Sequence, residues 1–172
     1  HMALAVGDVD GDGAFDVAFG DGDGAVAFFY NRGSAGAFRF DFTDPDLVVD
    51  APDGRTLAKP ELGDVDGDAD LDLVATYAPA FTPIVHFENV GNATRPAFVE
   101  APSGQNPFDA VDAIHVDQTT LALYDVDADG DLDLLLAKLT GTAVYYANFG
   151  SSTAMDLVED AEHGLNEASL GA

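Results

Sequence analysis

The sequence predicts an all-β fold of three tandem four-stranded antiparallel sheets, and three observations carry that prediction. The segment Asp8-Val-Asp-Gly-Asp-Gly-Ala-Phe-Asp16 returns as Asp64-Val-Asp-Gly-Asp-Ala-Asp-Leu-Asp72 and as Asp125-Val-Asp-Ala-Asp-Gly-Asp-Leu-Asp133. Each copy is flanked by short apolar runs of strand length. Each is also followed by a second such run ending in Asn-x-Gly, where Asn and Gly tolerate the left-handed backbone of a tight turn.

The elements follow in order. A lead-in strand precedes each loop: Leu4-Ala-Val-Gly7, Ala58-Lys-Pro-Glu-Leu-Gly63 and Leu121-Ala-Leu-Tyr124. The loops exit into Val17-Ala-Phe19, Leu73-Val-Ala-Thr-Tyr77 and Leu134-Leu-Leu-Ala137. Third strands are expected at Ala25–Tyr30, Ile84–Glu88 and Thr142–Ala147, each running into its turn: Asn31-Arg-Gly33, Asn89-Val-Gly91 and Asn148-Phe-Gly150. Fourth strands are expected at Ala37–Phe42 and Ala97–Glu100, with a weaker Met155–Val158. Stretches rich in Asp, Pro, Gly, Ser and Asn then cross to the next sheet. No helix is demanded anywhere. Glu159–Ala168 is the one helix-friendly stretch, and Gly164 interrupts it.

The repeated loop is a metal loop by its chemistry. Carboxylates at positions 1, 3, 5 and 9 converge when the backbone turns sharply at position 6, and hard oxygen ligands in that number suit Ca²⁺. An EF-hand, which opens with a similar pattern, also needs a bidentate Glu at position 12. That position holds Phe19, Ala75 and Leu136, and the exits read as strands, so the loop joins two strands. Position 8 (Phe15, Leu71, Leu132) reads as an anchor into the blade core.

Composition sets the background. The 172 residues carry a net charge of -26, and 14 of the 32 acidic residues sit in the three loops. Three divalent cations would leave about -20, which repels nucleic acid and anionic membranes and suits a solvated acidic surface. A hydrophobic content of 47% excludes a disordered acidic tail. No run is apolar enough to insert directly into a bilayer, and the absence of cysteine excludes a disulfide framework. His1-Met2 reads as a cloning remnant, so a signal peptide is expected to lie outside this sequence. Residues 3–172 read as a single repeat domain with units of about 3–57, 58–120 and 121–172.

Four-stranded sheets in tandem at this spacing point to a β-propeller. The D-x-D-x-D-G-x-x-D loop, the Leu-Asp-Leu or Phe-Asp-Val that follows, the aromatic strand and the N-x-G turn together resemble the FG-GAP and VCBS repeats of integrin-like propellers. That resemblance implies one Ca²⁺ per blade, three in all, held by side chains at positions 1, 3, 5 and 9 and the carbonyl at position 7. It assigns Asp8, Asp10, Asp12, the Ala14 carbonyl and Asp16. The second set is Asp64, Asp66, Asp68, the Asp70 carbonyl and Asp72; the third is Asp125, Asp127, Asp129, the Asp131 carbonyl and Asp133. Position 6 is Gly13 and Gly130 but Ala69 in the second loop, where a Cβ costs about 1–2 kcal/mol in a left-handed turn.

Propellers close with about 4–8 blades. Three blades therefore imply either part of a longer repeat protein or two chains closing head to tail into a six-bladed ring. The resemblance implies a non-enzymatic, extracellular or cell-surface adhesion module with a protein or glycan ligand; the alternatives are the propeller of a polysaccharide lyase or hydrolase, or a structural spacer. For catalysis the sequence offers no G-x-S-x-G, phosphate-loop or H-E-x-x-H motif. His86 and His115 stand alone. Tyr77, Phe81, Tyr145 and Tyr146 are expected in the core rather than stacked on sugars, and Asn92-Ala-Thr94 is an isolated glycosylation sequon.

Overall fold

The computed structural model describes residues 3–78, 84–102, 104–111, 120–138 and 141–160. They form twelve strands in three antiparallel four-stranded sheets, each a simple up-and-down meander. Blade 1 contains β1 (Ala3–Gly7), β2 (Asp16–Gly20), β3 (Val26–Phe29) and β4 (Leu47–Val49). Blade 2 contains β5 (Thr56–Gly63), β6 (Asp72–Ala78), β7 (Val85–Asn89) and β8 (Phe98–Glu100). Blade 3 contains β9 (Thr120–Tyr124), β10 (Asp133–Ala137), β11 (Ala143–Asn148) and β12 (Leu157–Glu159). Two short 3-10 turns, Pro52–Gly54 and Pro107–Ala110, are the helical elements among the described residues. Phe81, His115 and nearly all of the helix-friendly stretch at 159–168 lie outside those residues.

Register makes the blades superimposable. The last residue of each first strand faces the loop's final aspartate: Gly7 opposite Asp16, Gly63 opposite Asp72 and Tyr124 opposite Asp133. First strands of successive blades also lie side by side, β1 against β5 and β5 against β9. That is the arrangement of inner strands around a propeller axis.

The cores lie between blades. Ala5, Ala18, Val26 and Phe28 of blade 1 meet Leu73, Ala75, Val85 and Phe87 of blade 2. Val74 and Ile84 of blade 2 meet Leu121, Leu123, Leu134, Leu136 and Tyr146 of blade 3, with Phe108 from the second 3-10 turn filling the same layer. Period-2 alternation sends one set of side chains to the preceding blade and the other to the following blade. Each large apolar side chain so buried stabilises the stack by about 1.5–3 kcal/mol. Tyr77, Tyr145 and Tyr146 are buried core residues, as expected.

The fourth strand of blade 1 corrects the sequence reading. Ala37–Phe42 is not a strand; β4 is Leu47–Val49. In blade 2 the strand starts as soon as the turn closes, with Asn89 opposite Phe98. The same start in blade 1 would put Asn31 opposite Phe40 and Phe28 opposite Thr43, yet Phe28 pairs with Leu47. The intervening residues form a loop held by the Asp46 carboxylate, which accepts from the Tyr30 N–H at 2.7 Å and pairs with Arg32. Phe42 lies against Phe19 and Phe29 at ring separations of 5.9 and 5.2 Å, and Phe40 stacks on Phe42. Aromatic contacts on the open side of the sheet thus take the place of strand pairing for these residues.

Candidate metal centre

Each loop folds around its own backbone. The position-1 carboxylates of Asp8, Asp64 and Asp125 accept from the N–H groups of positions 5 and 6 at 2.9–3.1 Å. Position 5 (Asp12, Asp68, Asp129) accepts from the N–H of position 7 at 2.8, 2.9 and 3.2 Å. Short side chains that bond the nearby backbone drive such turns. The turn needs positive φ at position 6, and has it: 87° at Gly13, 75° at Ala69 and 102° at Gly130. Position 4 is left-handed as well, at Gly11, Gly67 and Ala128 with φ of 67°, 75° and 64°. Sequence reading identified the strain at Ala69 and missed the matching strain at Ala128.

The position-9 aspartate ties the loop to the blade. One oxygen of Asp16, Asp72 and Asp133 accepts from the N–H of Val9, Val65 and Val126 at 2.8, 3.0 and 2.9 Å. The other accepts from the N–H of Asn31, Asn89 and Asn148 at 2.7, 2.8 and 2.8 Å. Those asparagines are the first residues of the N-x-G turns. Their own Oδ1 atoms each accept two N–H groups across the turn: Gly33 and Arg39, Gly91 and Ala97, and Gly150 and Asp156. The sequence motif is thus a two-stage clamp, aspartate to asparagine and asparagine to turn. All six of these side chains are buried.

Of the expected ligands, the structure brings positions 1, 3 and 9 together. Ligand oxygens of Asp8, Asp10 and Asp16 lie within 4.8 Å of one another, as do those of Asp64, Asp66 and Asp72 and those of Asp125, Asp127 and Asp133. The position-5 carboxylates are outside these triads. Of the residues whose carbonyls were expected as ligands, Ala14 is buried at 2% exposure, Asp70 is half-buried and Asp131 is buried.

The triads are short of positive charge. Burial, reinforced by Asp12 and Asp8, raises the Asp10 carboxyl above its ordinary range. Burial raises Asp66, with Asp72 and Asp68 adding to it. Loss of water contact raises Asp127, with Asp129 and Asp133 adding to it. Burial also raises Asp16 against the lowering effect of the Asn31 and Val9 N–H groups. Oδ1 of Asp10 is buried without a hydrogen-bond partner, as is Oδ1 of Asp131. Convergent carboxylates with an orphaned buried oxygen are a donor set that fits a hard cation.

Two expectations are altered by the structure. Leu71 and Leu132 pack on the inter-blade cores as expected and also press on Gly7 and Gly63 of the blades before them, whereas Phe15 is 69% exposed. His86, which stands alone in the sequence, is buried on β7 with Nε2 3.4 Å from Asp72 Oδ2, unaligned for a hydrogen bond. Tyr145 holds the same register place in blade 3 and donates to Asp133 Oδ2 at 3.0 Å. Asn92 and Thr94 of the sequon form an exposed turn, the asparagine Oδ1 accepting from the threonine N–H.

Fold and site together define a propeller-type repeat with an aspartate loop at the start of each blade. Residues 8–75, from the first loop into β6, match the family model described as an FG-GAP-like repeat. No curated protein and no solved structure matches the chain.

Proposed function

We propose that this chain is a non-enzymatic binding or adhesion module that works outside the cell, with one structural Ca²⁺ in each blade. The carrying observation is the threefold recurrence of one arrangement: positions 1, 3 and 9 within 4.8 Å, position 9 already locked to the N-x-G turn. Asp8, Asp10 and Asp16, and their counterparts in the other loops, would hold the ion, with the position-5 carboxylate and position-7 carbonyl completing an oxygen shell. The cation supplies charge neutralisation; the protein supplies the turn. Extracellular calcium is plentiful enough to fill weak sites of this type. The adhesion reading rests on analogy between the repeat at 8–75 and surface-displayed propellers.

Melting curves in EDTA, millimolar Ca²⁺ and millimolar Mg²⁺ test the metal reading. A ligand that binds only the folded state at 100 times its Kd stabilises by about 2.7 kcal/mol per site. Calcium should therefore raise Tm well above the EDTA value, and magnesium should do so far less, because it dehydrates reluctantly and demands octahedral geometry. Coincident curves in EDTA and calcium would sink the reading. A glycan array probed with and without calcium separates a binding module from an inert spacer.

A further inference from the structure

The six-bladed ring, one of the two arrangements the sequence allows, requires blade 3 to receive blade 1 of a second copy in the way that blade 1 receives blade 2. The two internal junctions show what receiving a blade takes. At the end of β1, Gly7 admits the following blade so closely that a Cβ there would meet Leu71 Cδ1 at 2.7 Å and Leu62 Cδ1 at 3.1 Å. At the end of β5, a Cβ on Gly63 would meet Leu123 Cδ1 at 3.0 Å and Leu132 Cδ1 at 3.1 Å.

A second glycine repeats the logic in the metal loop. A Cβ on Gly11 would meet the Ala93 carbonyl oxygen at 2.7 Å, in the turn between the third and fourth strands of blade 2. One on Gly67 would meet Ser152 O at 2.7 Å and Thr153 Cγ2 at 2.6 Å, in the same turn of blade 3. Each blade that accepts a successor therefore carries two glycine sockets. One takes the leucine pair of the next blade, the other its turn.

Blade 3 has neither socket. Tyr124 stands at the register position of Gly7 and Gly63, and its side chain is exposed. Ala128 stands at loop position 4, where Gly11 and Gly67 stand in the other loops. At loop position 4 a Cβ would meet a backbone carbonyl at 2.7 Å, so the neighbouring turn would have to shift, and at the strand end a phenol ring would have to displace the side chains that close on Gly7 and Gly63.

The opposite end is obstructed too. Phe19 and Phe29 of blade 1 hold the register places of Ala75 and Phe87, which in blade 2 are buried against the blade before. In blade 1 Phe42, from the loop before β4, lies on that pair. The chain's own side chain occupies the layer that a preceding blade fills elsewhere.

We infer that Tyr124, Ala128 and Phe42 are specificity determinants that bar a second copy from docking head to tail, so that this chain does not close a six-bladed ring with itself. Val6 and Phe15, equivalent to Leu62 and Leu71, are exposed and form the knob that a receiving blade would have to seat. The argument rests on blade packing and is independent of the metal reading.

Sedimentation of the full chain in millimolar calcium and high salt, where charge repulsion is screened, provides the test. The wild type is expected to remain monomeric at every concentration. The triple variant Phe42→Ser, Tyr124→Gly, Ala128→Gly is expected to associate, its apparent mass at least doubling, and adding Phe15→Asp is expected to return it to monomer. Opening one end alone, by Phe42→Ser or by Tyr124→Gly with Ala128→Gly, is expected to leave a monomer. A wild-type dimer that Phe15→Asp dissolves would overturn the inference. So would a triple variant that keeps its β circular-dichroism spectrum and stays monomeric.

Discussion

Ala69 offers a measurement of loop strain with internal controls. It sits at position 6 of the second loop at φ 75°, where the other loops have Gly13 and Gly130. A Cβ in the left-handed region costs about 1–2 kcal/mol. No atom lies within 4 Å of a Cβ built on Gly13 or Gly130, so crowding adds nothing and backbone strain is the whole effect. Ala69→Gly removes that strain but gives the unfolded chain extra freedom worth about 0.4–1 kcal/mol. The net gain is therefore about 0.5–1 kcal/mol, or about 1–4 °C in Tm for a chain of this size. Gly13→Ala should lose a similar amount. Gly11→Ala should lose more, since its Cβ would also meet Ala93 O at 2.7 Å. Urea and thermal melts of the three variants, in EDTA and again in calcium, give the ranking. An Ala69→Gly protein no more stable than its parent, together with a Gly13→Ala protein that loses nothing, would refute the strain argument.

Three further outcomes follow from the site. The position-3 carboxyls are raised in the folded protein, so in EDTA their contribution to stability is fully present below the ordinary aspartate value of 3.8 and is lost as pH rises through the raised values, whereas in saturating calcium lowering the pH should weaken the fold as protons compete with the ion. Melts across that window, with and without chelator, check the reversal of slope. Asn89→Ala removes the acceptor of the Gly91 and Ala97 N–H groups inside a half-buried turn and should cost about 2–4 kcal/mol, read from urea denaturation. His86→Phe substitutes the residue that blade 1 has at the same register place, Phe28, and removes two buried nitrogens without hydrogen bonds; it should be neutral or stabilising by about 1 kcal/mol in the same assay.

Strand positions were legible because alternation and turn chemistry agree in this chain. Val17-Ala-Phe19 and Leu134-Leu-Leu-Ala137 lie within β2 and β10, and all three N-x-G turns form where the asparagines stand. The triads were legible in part: carboxylates at positions 1, 3 and 9 turn inward together, while position 5, expected with them, accepts from the N–H of position 7 and stays outside. Phe40 and Phe42 misled because their alternation is that of a strand, and nothing local says that the Asp46 anchor lies four residues beyond Phe42. The meaning of Tyr124 was invisible for a different reason. Aligning the repeats shows glycine, glycine, tyrosine; only the 2.7–3.1 Å approaches across blade junctions show that glycine is there to admit a neighbour.

The loops are also junction elements, and this changes what filling one of them would do. In loop 1 the position-9 carboxylate holds the turn of its own blade through Asn31, while Gly11, two residues after the candidate ligand Asp8's neighbour Val9, presses on the turn of blade 2 at Ala93. Loop 2 repeats this toward blade 3 through Gly67 and Ser152. A cation that stiffens loop 1 or loop 2 therefore stiffens two turns, one in its own blade and one in the next. Loop 3, with Ala128 in place of the socket glycine, holds the turn of its own blade through Asp133 and Asn148 and touches blade 2 through Leu132 against Gly63. Stabilisation by metal should then be shared unequally: the first two loops brace the turn of the next blade as well as their own, and the third braces its own turn.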